Sequence, residues 1–82
     1  MDIDLFLKTI DGETTQIQCN LNDSVSSVVA KYKQSNHIEN KVQIILTYKG
    51  KSLKPGDSLN VYNIETDDVL HVIVRLPGGM WI

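Results

Sequence analysis

Nucleophilic or metal chemistry in this 82-residue chain would have to be built from one cysteine, Cys19, and two histidines, His37 and His71. A catalytic thiol needs an imidazole within hydrogen-bond reach in an accessible cleft. The alternation of "TTQIQCN" instead turns Cys19 inward together with Thr15 and Ile17. A free cysteine in that position acts as a small buried hydrophobe. The Cys and His residues lack zinc-ligand spacing, no glycine-rich phosphate loop follows a strand, and no carboxylate pair is framed for acid–base work. Neither an enzyme nor a bound metal or cofactor is expected. The other chemically suggestive stretch is the ending, "VRLPGGMWI". Gly78-Gly79 stands too late to serve a turn between two substantial elements. What it offers is main chain that another surface can approach with no Cβ in the way.

The rest of the composition narrows the class. With 8 basic and 10 acidic side chains the net charge is -2, which gives no support for nucleic-acid binding. The apolar runs are too short to cross a bilayer and no signal peptide opens the chain, so no membrane partner is expected. Hydrophobic residues at 41% and charged residues at 22% are an ordinary globular mix. One cysteine cannot form an internal disulfide, which points to a reducing compartment: the cytoplasm, extending to the nucleus. A domain of this size without staples needs an efficient single core, and a monomer is expected.

The elements that must position any site follow from periodicity. "IDLFLK" alternates, with Ile3, Leu5 and Leu7 on one face and Asp4, Phe6 and Lys8 on the other. Asp11-Gly12 is hairpin chemistry, and "TTQIQCN" is the returning strand. Val25, Val28, Val29 and Tyr32 then fall at helical spacing, with Asp23 or Ser24 available as the cap and Asn36-His37 as the end. "VQIILTY" reads as a strand stopped by Lys49-Gly50, and "KSL" as a short edge strand before the Pro55-Gly56 turn. "SLNVYNI" reads as an irregular or 3₁₀ segment anchored by Leu59, Tyr62 and Ile64. "VLHVIVRL" alternates Leu70, Val72 and Val74 against His71, Ile73 and Arg75. The order is ββαββ, an α+β roll with one helix packed on a mixed sheet.

Over residues 1–79 this order and several strings resemble ubiquitin and its relatives. The pieces are "KTIDG" at the first turn, "SVSSVVAK" on the helix, "GKSL" at 50–53, "LNVYNI" at 59–64 and "LHVIVRLPGG" at 70–79. The resemblance implies a β-grasp domain over residues 1–76, followed by a flexible tail over 77–82. The departures are two extra residues at the start, one extra around Glu39–Val42, a proline before the glycine pair, and the three-residue extension.

What such a resemblance implies is a protein modifier, made as a precursor and processed between Gly79 and Met80. The removed peptide would be Met80-Trp81-Ile82. The exposed carboxylate of Gly79, behind Gly78, would then be joined to lysines of target proteins. The implied partners are activating (E1-like) and conjugating (E2-like) enzymes, a processing or deconjugating protease, and ubiquitin-binding domains. Arg75, Leu76 and Pro77 match the stretch read by activating enzymes, although the family usually has a basic residue at Pro77. The docking patch of the family maps to Ile10, Thr47, His71 and Ile73, with Gly50 and Lys51 beside them. Thr47 stands where the family has its central isoleucine, and Leu46 or Ile45 takes that place if the extra residue lies elsewhere in the loop. Ile45 otherwise replaces an arginine of the family. Lys8, Lys31 and Lys51 match lysine positions of the family and are the implied chain-linkage amines, whereas Glu13, Val29, Ser35 and Thr66 stand where the family has lysine. The other reading is a non-conjugated N-terminal ubiquitin-like domain of a larger protein, with Gly78-Gly79 as a linker.

Overall fold

The computed structural model describes residues 2–76 and 80–81, and the side chains of all of these except Leu76, Met80 and Trp81. Strands β1 (Asp2–Lys8) and β2 (Thr14–Asn20) form the first hairpin. Helix α1 (Val25–Ser35) follows, then β3 (Gln43–Tyr48), β4 (Lys51–Ser52), a 3₁₀ turn (Leu59–Tyr62), β5 (Val69–Leu76) and β6 (Met80–Trp81). The sheet runs β2-β1-β5-β3-β4, with β6 added to β5. It is mixed, because β1 and β5 are parallel while every other pair is antiparallel. This is the β-grasp roll that the sequence pattern implies.

Local chemistry explains each boundary. The first turn closes with Gly12 N donating to Thr9 O at 3.0 Å, and Gly12 takes φ +92°. Glycine occupies that geometry without steric cost. Of the two candidate caps, Ser24 starts the helix: its Oγ accepts from Ser27 N at 3.2 Å. Asp23 instead accepts from Asn20 N at 2.9 Å, closing the loop before the helix. The next free amides of the first turn are also satisfied, Val25 N by Asp57 O and Ser26 N by Pro55 O. The helix ends at Asn36, and His37 takes a left-handed φ of 55°.

The core lies between the helix and one sheet face. Ile3, Leu5, Leu7, Ile17 and Cys19 come from the first hairpin, and Val25, Val28 and Tyr32 from the helix. Ile44, Leu46, Leu70 and Val72 close it from the central strands, with Leu53, Leu59 and Ile64 filling its rim. Two positions differ from the inward pattern. Thr15 is half-buried and shares a hydrogen bond with the Asn36 side chain at the helix end, and Val29 packs only on the margin of the core.

Part of the three-residue extension after the glycine pair is described in the structure. Met80–Trp81 pairs antiparallel with β5, Trp81 opposite Arg75 and Met80 opposite Leu76. Even two residues supply main-chain donors and acceptors for a ladder, which apolar content alone does not reveal. Pro77, Gly78, Gly79 and Ile82, on which the processing and conjugation expectations fall, lie outside the described residues.

Leu70 is fully buried at the centre of this packing. Leu70→Ala should destabilise the domain by about 2–5 kcal/mol in urea titration, since a leucine deleted from a tight core leaves a cavity. A near-zero change would mean that the inward face of β5 is misassigned.

Candidate functional site

The outer sheet face is built by register. Residues directly opposite one another on neighbouring strands point to the same face. Lys8 lies opposite His71, which lies opposite Thr47, so one row crosses β1, β5 and β3. The next row carries Ile73 opposite Ile45. Ile10, at the tip of the first turn, overhangs these rows and is 85% exposed. A shallow concavity of about 190 Å³ gathers Ile10, Thr47, His71 and Ile73, with Lys8 and Val72 in its wall.

Four of the sequence-derived patch residues therefore share one surface. The place opposite His71 belongs to Thr47, because Leu46 is buried in the core and Ile45 faces Ile73. Gly50 and Lys51 do not join the group. Lys51 pairs with Tyr48, whose side chain is buried, and lines a different hollow. Ile45 is the apolar contributor that the sequence placed only as an alternative. Period-2 alternation in "VQIILTY" was the available signal, but it does not reveal which residue of β5 lies opposite.

What the face offers is apolar contact edged by polarity. Ile45 and Ile73 are half-buried, while Lys8 and His71 are exposed. The face thus has an apolar centre with polar side chains at its margin. Arg75 continues the same outward face beyond Ile73, opposite Gln43.

Cys19 is buried, and that burial raises its thiol above the ordinary value of 9.0, against the pull of Lys31. A raised thiol in an apolar setting is a poor nucleophile. No group of three His, Cys, Asp or Glu side chains that could hold a metal is found among the described residues, nor is any helix long and apolar enough to cross a membrane.

Two tyrosines that the sequence did not single out as polar anchors hold the loops beneath this face. Tyr48 Oη donates to Asp68 at 2.7 Å, tying the end of β3 to the start of β5. Tyr62 Oη accepts from Lys54 N at 2.9 Å and donates to Asp57 at 2.7 Å, fastening the 3₁₀ turn to the loop before it. Donation from Glu65 N, at 2.8 Å, holds the Asp68 carboxyl below its ordinary value, with the Tyr48 hydroxyl adding to it against partial burial.

Comparison with known proteins agrees with the architecture. The family model described as Ubiquitin-2 like Rad60 SUMO-like matches residues 3–74. The chain is similar to Ubiquitin-like protein 1 of Schizosaccharomyces pombe, 27% identical over 73 residues, covering 89% of this chain and 92% of that protein. It is likewise similar to the NEDD8-like protein RUB3 of Arabidopsis thaliana, 27% identical over 77 residues, with 94% and 97% covered. A segment of Transcription initiation factor TFIID subunit 1 of Arabidopsis thaliana is 26% identical over 77 residues; it covers 94% of this chain and 4% of that protein.

The Asp68 arrangement has a pH signature. A carboxylate whose folded pKa is depressed adds stability above its unfolded pKa and loses it as pH falls through the folded one. Tyr48→Phe should cost about 1 kcal/mol at neutral pH, the scale of one hydrogen bond. Asp68→Asn should flatten the fall in stability on acidification below about pH 4, read by urea titration across pH. An unchanged acid limb in Asp68→Asn would show that this carboxylate carries none of it.

Proposed function

The chain belongs to the Ubiquitin-2 like Rad60 SUMO-like family, and on that footing we propose that it is a protein modifier. It is made as a precursor, cut between Gly79 and Met80, and joined through Gly79 to lysines of target proteins. The observation that carries this reading is the Gly78-Gly79 pair placed directly behind the last core strand. A glycine main chain passes through narrow enzyme channels because no Cβ obstructs it. The similarity to two ubiquitin-like relatives, over 92% and 97% of their lengths, also supports the reading.

In this reading an activating enzyme recognises Arg75, Leu76 and Pro77, and a conjugating enzyme receives the charged chain. The face of Ile10, Thr47, His71 and Ile73 docks ubiquitin-binding domains, with Ile45 as a further apolar contact. Lys8 and Lys51 are exposed and available as chain-linkage amines. Lys31 is exposed too, but it donates to Gln18 O at 3.1 Å and sits 3.6 Å from Asp23, so it is the more constrained of the three.

A second reading, a non-conjugated ubiquitin-like domain that only binds partners, is favoured by one observation. A similar segment occupies just 4% of a much larger relative. Both readings use the sheet face, and they part at Gly79.

Incubation with a panel of ubiquitin-family processing proteases should release Met-Trp-Ile and leave a 79-residue product by intact mass. The product should then form an ATP-dependent thioester with an activating enzyme, while Gly79→Ala in the truncated chain should not. Ile73→Ala should leave charging intact and weaken binding to ubiquitin-binding domains, because it removes an apolar anchor from the docking face only. Absence of cleavage by every protease, with domain binding retained, would decide for the non-conjugated reading.

A further inference from the structure

A second hollow, of about 330 Å³, lies around the β3–β4 turn and the 3₁₀ turn, lined by Tyr48, Lys49, Lys51, Val61, Tyr62 and Asn63. It shares no lining residue with the hollow at Ile10 and Ile73. We propose that it docks a short acidic segment of a partner protein, one that carries a single apolar side chain between its carboxylates. The proposal goes beyond the modifier reading and holds whether or not Gly79 is conjugated.

The apolar half of the argument is Val61. Its neighbour Leu59 is fully buried, yet Val61 is 60% exposed, and among the described large hydrophobics only Ile10 is more exposed. The 3₁₀ turn thus presents one aliphatic side chain outward beside two tyrosines. That makes a floor for one apolar side chain, too small for a helix face.

The charged half is an imbalance. The chain carries a net charge of -2, but this rim carries Lys49 and Lys51. Among the described residues, neither rim lysine takes part in an ion pair like Lys31–Asp23 or Lys41–Glu39, with a carboxylate within 4 Å. Two neighbouring carboxylates accept hydrogen bonds from neutral donors, Asp68 from Tyr48 Oη and Glu65 N, and Asp57 from Tyr62 Oη. Lys49 reaches Asp68 only through its field. Ammonium groups with no carboxylate in ion-pair contact, beside an apolar floor, attract carboxylates and gain from contact once they arrive.

The rim is also held in shape. Lys49 and Gly50 both take positive φ, 50° and 79°, the geometry of a tight two-residue hairpin turn. A lysine in left-handed backbone is unusual. Here it sets the ammonium over the Tyr48 ring, 5.2 Å from the centroid. Asn63, at φ 56°, ends the opposite wall, and Tyr62 is pinned at its hydroxyl by Lys54 and Asp57. Walls that are set beforehand lose less freedom on binding.

A nucleic acid fits this hollow less well. Two lysines on a net-negative domain neutralise too few phosphates for useful affinity, and a phosphate backbone leaves Val61 without an apolar contact. A short acidic segment with one leucine meets both requirements.

The test is a titration of the isotope-labelled full chain with the peptide acetyl-DDDLDD-amide, followed by amide NMR. Shifts should centre on Lys49–Lys51, Val61 and Asn63, and affinity should fall as salt rises. The double variant Lys49→Glu/Lys51→Glu should weaken binding by about tenfold or more. Val61→Asn should weaken it with the spectrum otherwise unchanged, as should replacing the peptide leucine with serine. Ile73→Ala should leave it intact. None of these readouts involves Gly79, so their failure and that of the modifier reading are separable. The proposal is overturned if millimolar peptide shifts nothing, or if the largest shifts fall at Ile10, Thr47 and Ile73. It is equally overturned if the charge-reversed double variant binds undiminished, or if a single-stranded oligonucleotide of matched charge shifts the same residues as strongly.

Discussion

The parallel pairing of β1 with β5, with Leu7 opposite Leu70, is the constraint on which the rest of the molecule depends. Both leucines are fully buried, and they come from opposite ends of the sequence. Without this pair the first hairpin has no third strand, and a lone hairpin is marginal in water. The helix, too, would have only part of a sheet to cover. A parallel pairing needs a long crossover, and here everything between β1 and β5 serves as that crossover. The helix fills one face of it and β3 flanks β5 on the other side.

The same register determines what faces outward. Because strand side chains alternate, a slip of one residue between β1 and β5 would turn one strand over relative to the other, setting Lys8 against Leu70 or His71 against Leu7 on the core face. The burial of the leucine pair and the alignment of Lys8, His71 and Thr47 are two consequences of one choice. The outer face of this sheet is therefore fixed by the same register as the core behind it. The hollow at the β3–β4 turn depends on something more local: two tyrosine hydroxyls and a few left-handed residues hold connecting segments against the sheet. Loops pinned by side-chain hydrogen bonds open at lower free energy than core strands. The two surfaces accordingly differ in how strongly the fold enforces them.

These differences also account for what the sequence disclosed. Ile3, Leu5 and Leu7 alternate against polar neighbours, and Val25, Val28 and Tyr32 recur at helical spacing, so the elements and their inward faces were legible. The strings at 59–64 and 70–79 extended that reading to the whole roll. Which of Ile45, Leu46 and Thr47 stands opposite His71 was not legible, because cross-strand register is a property of two segments and periodicity belongs to one. The hydroxyl contacts of Tyr48 and Tyr62 were hidden for a similar reason: their acceptors, Asp68 and Asp57, lie in loops without a pattern. The placement of Lys51 away from the sheet-face group follows from its pairing with Tyr48, and position along the chain alone suggested otherwise.

The last strand bears on how a conjugated chain would work. Arg75 and Leu76 are paired with Trp81 and Met80, so the main chain just ahead of the glycine pair is engaged with residues just behind it. An enzyme that threads Gly78-Gly79 as extended chain needs that ladder open. Two residue pairs at the end of a sheet, with no further strand beyond them, are near the weakest ordering a sheet can have. Opening them costs far less than disturbing the neighbouring β3–β5 ladder, which runs from Gln43–Arg75 to Thr47–His71. Cleavage after Gly79 would make the opening permanent, since β6 would leave with the released peptide. The domain would keep Leu70 and Val72 in the core and His71 and Ile73 on the outer sheet face, because neither set depends on β6. Processing at this site would thus change the accessibility of the terminus without altering the outer sheet face proposed for docking.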